Sequence, residues 1–368
     1  MNFNIYGLAT IVLVCFCSAE VYALDDIELP PGFAIEEYAK VPKARSLALG
    51  DNGTVFVSTR RSGKVYAVIG EGEQRRTIEL LDGLRQPNGI AFHEGDLYVA
   101  EIDRVTRYRG IETTLFAVPE AEELDIDLPS ESRHGWRYIG FGPDDRLYIT
   151  IGAPCNICDE EGFARIIRMN PDGSDRETYV SGVRNSVGLT WHPDSGDLWF
   201  TDNGRDMLGD DLPPGELNQA TALGQHFGYP YCHGGVLLDP KFGKDKNCED
   251  YRAPAQKLGA HVAPLGLKFY TGEMFPDEYR GQIFIAEHGS WNRSKKVGYR
   301  ITLVRMENGK AISYEPFAKG WLQGQSVSGR PVDLLVLPDG SMLVSDDHAG
   351  LIYRISYTDH PTKGNRNE

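Results

Sequence analysis

The sequence predicts an all-β fold, a six-bladed β-propeller built from four-stranded antiparallel blades. One pattern, two short apolar strands joined by a turn rich in Asp, Asn and Gly, occurs six times, and a third strand follows several copies. No long amphipathic helix pattern competes with it, because apolar residues alternate with period two, as in "DRLYITIG". Short antiparallel strands repeated in this way are typical of propeller blades, whose sheets bury both faces only between neighbours.

The six copies define the predicted blades in chain order. Each is expected to form a hairpin, and they read "SLALGDNGTVFVST", "GIAFHEGDLYVAE", "IGFGPDDRLYITIG", "GLTWHPDSGDLWFTD", "GLKFYTGEMFPDEYRGQIFIAE" and "DLLVLPDGSMLVSDD". The segment "FAIEEYAK" is expected to close the ring by joining the last blade. A longer gap at about 205–265 predicts an insertion rather than a seventh blade, so that residues 24–368 form a single propeller domain.

Residues 1–23 have the pattern of a secretory signal peptide. An apolar run from Ile5 to Ala19 is too short to span a bilayer comfortably. Val21 and Ala23 place small residues at the positions expected before a cleavage site. We therefore expect a periplasmic or secreted protein without a stable membrane span; the alternative is a retained N-terminal anchor.

Four cysteines remain after that segment is removed, namely Cys155, Cys158, Cys232 and Cys248. An even count in an oxidising compartment predicts two disulfides, and sequence proximity favours Cys155 with Cys158 and Cys232 with Cys248. The alternatives are a zinc site or a redox CxxC motif, although a four-Cys zinc site usually has two CxxC pairs and this chain has one. No CxxCH is present, so covalent c-type haem is not expected in this chain.

The charge balance narrows the class of partner. Lys and Arg total 38 against 53 Asp and Glu, which gives a formal net charge of −15. Nucleic acid and anionic membrane surfaces are therefore poor partners, and a small molecule or a cation is favoured.

Loops at one end of a propeller channel converge on its axis, so residues beside corresponding strands of different blades can meet there. His134 lies just before the opening strand of one blade, and a neutral imidazole there can remove a proton from a hydroxyl. The alternative is a structural or merely exposed histidine. Arg184 and Asn185 precede the next blade, where an Arg fork and an amide can hold a carboxylate and a neighbouring oxygen.

Further basic groups occur at similar positions relative to strands. Arg330 precedes a strand of the last predicted blade, and His288 and Lys295 follow a strand of the fifth. In a protein that is acidic overall, this distribution indicates an anionic ligand on the axis, while the alternative is a chance scatter of solvated charges.

The stretch "TDNGRDMLGDDLPP" places acidic residues directly after an aromatic strand. Asp206, Asp210, Asp211 and the later Glu216 can supply oxygen ligands to a hard cation such as Ca²⁺, although their spacing is not that of an EF-hand. The alternative is an ordinary solvated loop.

Over residues 29–357 the chain resembles the soluble quinoprotein glucose/sorbosone dehydrogenases, and the sorbosone-dehydrogenase-like branch in particular. The segments that carry the resemblance are "GVRNSVGL", "TDNGRDMLGDDLPPGELN", "AEHGSWNR" and "GRPVDLLVLPDGSMLVSDDHAGLIYRI". The resemblance implies a six-bladed propeller that uses pyrroloquinoline quinone (PQQ) and Ca²⁺.

The resemblance also implies roles for individual residues. His134 matches the general base that accepts the hydroxyl proton while hydride passes to C5 of the quinone. Arg184 and Asn185 match a pair that contacts the quinone, and Gly204 and Arg205 match backbone carbonyls that hold the Ca²⁺, although some relatives have Pro in place of Arg205. The cofactor-binding set is completed by Arg330, His288 and Lys295, and the metal set by Asp206, Asp210, Asp211 and Glu216.

The predicted function is oxidation of an aldose, a sorbosone-like aldehyde or another polyol by a PQQ-dependent dehydrogenase. Because covalent haem is not expected in the chain, the electrons must leave to a separate acceptor. The alternative is a propeller without a redox role, either a Ca²⁺-dependent lactonase-like hydrolase or a binding module. The cationic residues favour the dehydrogenase, because PQQ carries three carboxylates and needs cations around its rim.

Overall fold

Six antiparallel sheets form the blades of a β-propeller in the computed structural model, which describes residues 24–358. The predicted fold class is therefore confirmed. The predicted signal peptide, residues 1–23, lies outside the described residues. Within residues 24–358, no helix is long and apolar enough to cross a membrane.

The blades are numbered in chain order and their strands are given from the axis outwards. Blade 1 contains Leu47–Leu49, Val55–Ser58, Val65–Ile69 and Arg76–Leu81; blade 2 contains Gly89–His93, Asp96–Ala100, Val105–Tyr108 and Glu122–Glu123; blade 3 contains Ile139–Phe141, Leu147–Ile151, Arg165–Met169 and Glu177–Ser181. Blade 4 contains Leu189–Trp191, Leu198–Asp202, Pro214–Ala220 and Gln256–Ala260; blade 5 contains Pro264–Phe269, Ile283–Glu287, Arg300–Glu307 and Lys310–Ala318; blade 6 contains Pro331–Val336, Met342–Asp346, Leu351–Tyr357 and Phe33–Lys40.

Several short elements lie outside the four strands of each blade. A fifth, two-residue strand, Gln225–His226, runs parallel to the outer strand of blade 3. Two short ribbons pair Cys232–His233 with Leu237–Leu238 and Leu322–Gln323 with Ser326–Val327. The helices of the described chain are 3₁₀ turns at Leu24–Asp26, Gly72–Gln74, Ile111–Thr113, Cys248–Asp250 and Asp277–Tyr279.

The first strands of successive blades lie beside one another and close a ring around the axis. Because the first and second strands of each blade are antiparallel neighbours, the residues before each first strand and after each second strand lie at the same end of the ring. We call this end the site end. Between blades the core is apolar; Phe56 of blade 1, for example, packs with Leu97 and Val99 of blade 2.

The ring is closed by strands from the two ends of the described chain. Phe33–Lys40 pairs antiparallel with Leu351–Tyr357, which confirms the closure expected from "FAIEEYAK". The Phe33 ring meets four aromatic rings edge to face at centroid distances between 4.8 and 5.1 Å. These rings are Phe275, Tyr279, Phe317 and Tyr357. Phe33 therefore attaches the closing strand to both blade 5 and blade 6.

Part of the predicted insertion at about 205–265 belongs to blade 4, whose third and fourth strands are Pro214–Ala220 and Gln256–Ala260. The excursion from the blade is the segment 221–255 between them. It carries the Cys232–Cys248 disulfide, and Cys155–Cys158 closes a loop after the second strand of blade 3. Both predicted pairings are confirmed.

Replacing Phe33 by Ala should destabilise the ring closure. We expect Phe33→Ala to lower the free energy of unfolding by about 2–3 kcal/mol, because the half-buried ring loses its packing and its aromatic contacts. Urea denaturation measures this change. The control is Glu37→Ala on the same strand, where only an exposed ion pair with Lys40 is lost. Equal denaturation midpoints for the two variants would contradict the role assigned to Phe33.

Candidate active site

A cavity of about 200 Å³ opens at the site end and is lined by residues from five of the six blades. Because loops beside the inner strands converge there, residues far apart in the sequence meet in it. The predicted site residues that line it are His134, Arg184, Asn185, Gly204, Arg205, Asp206, His288 and Arg330. Lys295, Asp210, Asp211 and Glu216 are not among the lining residues.

His134 precedes blade 3 and has left-handed backbone, with φ of 50°, a conformation that a residue with a side chain rarely adopts. Its Nδ1 lies 2.8 Å from the carbonyl oxygen of Ala153. Since a carbonyl can only accept, Nδ1 carries the hydrogen and Nε2 is the nitrogen with a free lone pair. Burial and the charge of Arg184 lower the pKa of His134 to about 3. The imidazole is therefore neutral at physiological pH and able to accept a proton.

Arg184 is buried and its guanidinium is fully engaged within the protein. Nε and Nη2 donate to the backbone and side-chain oxygens of Asn156 at 2.9 and 3.0 Å. Nη1 donates to the carbonyls of Asn203 and Gly204 at 3.0 and 2.9 Å, and Nη2 also donates to Asp206 at 3.3 Å. These five bonds use every N–H of the side chain. Arg184 thus orders the cavity wall rather than offering a spare donor to a ligand.

The backbone of the Arg184–Asn185 pair is held by Asp202, the last residue of the second strand of blade 4. Its carboxylate accepts the N–H groups of Arg184 and Asn185 at 2.8 and 2.6 Å. Burial raises the pKa of Asp202 to about 6. The partner opposite Asp202 in the sheet is Glu216.

Glu216, predicted as a metal ligand, is not among the residues that line the cavity. Its carboxylate is buried inside blade 4 and accepts from Asn218 Nδ2 at 3.0 Å and from the N–H of Gly234 at 2.7 Å. Burial, together with the nearby charge of Asp202, raises the pKa of Glu216 to about 7. The side chain therefore connects the blade to segment 221–255 instead of facing the cavity.

Asp210 and Asp211, also predicted as metal ligands, are likewise outside the cavity lining. Asp210 accepts hydrogen bonds from the backbone N–H and the hydroxyl of Ser294. Asp211, whose side chain is 86% exposed, pairs with Arg293 at 2.9 Å. Both tie the loop of blade 4 to the loop of blade 5. In the described part of the chain, no three His, Cys, Asp or Glu side chains are grouped as a metal site.

Arg330 and His288 belong to a half-buried chain of polar contacts. His288 Nδ1 accepts from Arg330 at 2.9 Å, and its Nε2–H donates to Asp347 at 2.9 Å. Asp347 also pairs with Arg45 at 3.0 Å. Burial lowers the pKa of His288 to about 4, so the ring is neutral and acts as a hydrogen-bond bridge. Lys295, predicted to belong to this group, is exposed and outside the cavity lining.

Sequence reasoning missed several residues at the cavity. Arg45 lies just before the first strand of blade 1, the position that Arg330 occupies in blade 6. Aligning the six sequence copies by their first strands would therefore have predicted Arg45 as a cavity residue. Arg60 follows the second strand of blade 1 and lies 4.4 Å from the centroid of the Trp136 ring, a cation–π contact. Burial lowers the pKa of Arg60 to about 10.

Five arginines line the cavity, although the protein carries a net charge of −15. Three of them are paired with carboxylates, namely Arg45 with Asp347, Arg184 with Asp206 and Arg205 with Asp239. Asp206 is the one carboxylate among its lining residues. Such a lining favours a ligand with several carboxylates, because guanidinium groups bind carboxylates with two directed hydrogen bonds. The lining arginines are Arg45, Arg60, Arg184, Arg205 and Arg330.

Comparison with known proteins identifies the family of this chain. A profile of the TrAA12-like family matches residues 27–358. The chain belongs to the TrAA12-like family. Over 357 residues it is 33% identical to an uncharacterised protein of Borreliella burgdorferi, covering 90% of this chain and 91% of that one.

Several solved structures have a fold similar to that of this TrAA12-like chain. They include the calcium structure of the Trichoderma reesei AA12 enzyme (TM-score 0.79, 20% identity, 90% of this chain and 97% of that one). The holo PQQ domain of Coprinopsis cinerea pyranose dehydrogenase has a TM-score of 0.76 at 17% identity, covering 90% and 97%. The apo soluble aldose sugar dehydrogenase of Escherichia coli has a TM-score of 0.68 at 17% identity, covering 89% and 100%. At these identities the likeness establishes the fold; the sorbosone-dehydrogenase-like branch stays a prediction.

The imidazole of His134 should remain neutral well into the acidic range. Because burial and Arg184 disfavour its charged form, we expect its NMR signals in the ligand-free protein to be constant from pH 8 to about pH 4. In urea the same histidine should titrate near its ordinary value of about 6.5. His134→Ala identifies the signals. A native-state titration midpoint near 6.5 would contradict the environment described here.

Proposed function

We propose that this protein is a PQQ-dependent dehydrogenase that oxidises an aldose, a sorbosone-like aldehyde or another polyol in the cationic cavity. The observation that carries the proposal is the meeting of several arginines with a neutral histidine at one end of the propeller. PQQ bears three carboxylates, so the donor set present here fits it chemically. Membership of the TrAA12-like family and the named solved relatives support the same cofactor class.

His134 is proposed to act as the general base. Its Nε2 would accept the proton of the substrate hydroxyl, while the Ala153 carbonyl holds the Nδ1–H tautomer and stabilises the imidazolium that results. Burial and the charge of Arg184 keep the imidazole neutral before the reaction. An anionic ligand that offsets the charge of Arg184 would raise the pKa of the ring. When bound, PQQ would supply the hydride acceptor and Ca²⁺ the Lewis acid.

Arg330 is the arginine best placed to bind a cofactor carboxylate. Within residues 24–358 its guanidinium hydrogen-bonds only to His288, so donors remain for a ligand. Arg60, stacked on Trp136, is the second candidate. Arg184 and Asn185 are proposed to act mainly by shaping the wall beside the cofactor, since the guanidinium donors of Arg184 are already used.

The Ca²⁺ part of the proposal depends on Gly204, Arg205 and Asp206. Their carbonyl and carboxylate oxygens are the donor type that Ca²⁺ prefers. The Gly204 carbonyl and the Asp206 carboxylate both accept hydrogen bonds from Arg184, and each keeps a further lone pair that could bind Ca²⁺. Because a bound PQQ would add its own oxygen atoms to this donor set, we expect Ca²⁺ to bind more tightly in the presence of PQQ than alone.

Reconstitution tests the whole proposal. The purified protein is mixed with PQQ and Ca²⁺, its thermal stability is measured, and sugars and polyols are assayed with a dye as a separate electron acceptor. We expect cofactor-dependent stabilisation, bleaching of the quinone spectrum by substrate and dye reduction. A protein that neither gains stability nor reduces dye with any sugar is not this enzyme; lactone hydrolysis with Ca²⁺ alone would identify the hydrolase alternative.

Removing the proposed base should stop the chemistry without preventing cofactor binding. We expect His134→Ala to lower kcat by at least about a hundredfold, the usual contribution of a positioned general base. The dissociation constant of PQQ, from fluorescence quenching, should change little. His192→Ala is the control, because His192 caps a turn at the opposite end of blade 4 and should leave kcat unchanged. A fully active His134→Ala enzyme would exclude this base.

Removing the charge of Arg330 should weaken cofactor binding. We expect Arg330→Gln to raise the dissociation constant of PQQ about ten- to a hundredfold, since a hydrogen bond to a charged group contributes about 1.5–3 kcal/mol. Arg280→Gln, at a half-exposed guanidinium far from the cavity lining, is the matched control. Equal affinities for the two variants would show that Arg330 does not contact the cofactor.

A further inference from the structure

One short segment, Ala153–Asn156, holds both His134 and Arg184. It follows the second strand of blade 3 at the site end. The Ala153 carbonyl accepts the Nδ1–H of His134 at 2.8 Å, and the Ala153 N–H donates to the backbone oxygen of Arg184 at 2.8 Å. A displacement of this segment would therefore move the proposed base and the cavity wall together.

Asn156 is the most connected residue of this segment. Its backbone oxygen and its Oδ1 accept from Arg184 at 2.9 and 3.0 Å. Its Oδ1 also accepts the N–H of Asp206 at 2.8 Å, and its Nδ2 donates to the Asp206 carbonyl at 3.1 Å. Asn156 is outside the cavity lining, so it can act on a ligand only through these two neighbours.

The loop that carries Asn156 is held by a disulfide and by a hydrogen bond to segment 221–255. Cys155 and Cys158, which flank it, form a disulfide. The N–H of Cys158 donates to the Tyr229 hydroxyl at 3.1 Å, which attaches the loop to segment 221–255. A disulfide across so few residues leaves the backbone little freedom, so both acceptors of Asn156 stay directed at one guanidinium.

We propose that Asn156 is a positioning residue and that the Cys155–Cys158 loop clamps Arg184 against Gly204 and Asp206. The disulfide is then part of the active-site scaffold rather than a general stabiliser of blade 3. Its consequence for cofactor affinity rests on the proposed function, whereas the clamp itself is a property of the ligand-free protein.

Arginine labelling tests the clamp without any cofactor. Phenylglyoxal reacts with accessible guanidinium groups, and peptide mapping gives the rate at each arginine. Arg184 is 3% exposed and should react slowly in the wild type. In Asn156→Ala, and in the double variant Cys155→Ser with Cys158→Ser, we expect Arg184 to react at least about tenfold faster, because local opening becomes easier. Asn170→Ala, in a surface turn of the same blade, should leave the rate unchanged.

Arg137 is the internal control, since it is 1% exposed and bonded to the carbonyls of Ile102 and Pro129. Acceleration at Arg184 alone supports the clamp. Equal acceleration at Arg184 and Arg137 means that the fold has loosened generally and overturns the proposal, as does an unchanged Arg184. Asn156→Asp keeps both acceptor functions toward Arg184 but loses the Nδ2 donor to the Asp206 carbonyl, so it should protect Arg184 better than Asn156→Ala does; equal rates for these two variants overturn the assigned mechanism.

Cofactor affinity links the clamp to the proposed function. If the wild type binds PQQ, Asn156→Ala should raise the dissociation constant about tenfold or more, and an unchanged constant overturns the link between clamp and cofactor. If the wild type binds no PQQ, the proposed function fails while the labelling result still decides the clamp.

Discussion

The pairing of Phe33–Lys40 with Leu351–Tyr357 is the constraint on which the candidate site depends. It turns an open row of sheets into a closed ring, and only a closed ring brings the first blade beside the last. The Arg45–Asp347 ion pair joins residues that are 302 positions apart and exists because of this closure. The cavity is therefore a property of the complete ring, and no single blade contains it.

Electrostatic roles inside the cavity are divided among the arginines. Arg184 is a buried cation that orders the carbonyls of Asn203 and Gly204 through hydrogen bonds. Its charge adds to the effect of burial in lowering the pKa of His134. Arg330 is oriented by His288, which is in turn held by Asp347, so its direction is set while its donors remain open. The cavity thus presents arginines to a small anion, while the negative net charge of the protein repels large polyanions.

The fold could be predicted from the sequence because the repeated turns and the period-two strands both indicate the same structural unit, a propeller blade. It also located His134, Arg184, His288 and Arg330 at one place, since each stands at the same end of a blade. The sequence did not show that Glu216 lies inside blade 4 and outside the cavity lining, because composition does not show which face of a sheet a carboxylate occupies. It also did not show the contacts of Asp210 and Asp211, since their partners Ser294 and Arg293 come from another blade.

The turns that join the first and second strands of each blade lie at the end opposite the cavity. Several of them, such as 51–53, 143–145 and 193–195, are exposed. Because the residues of the cavity come from the other ends of these strands, a tag, a fused domain or a surface linkage at these turns would leave the cavity open to solvent. The propeller can thus be immobilised in a known orientation, with its cationic mouth facing the solution.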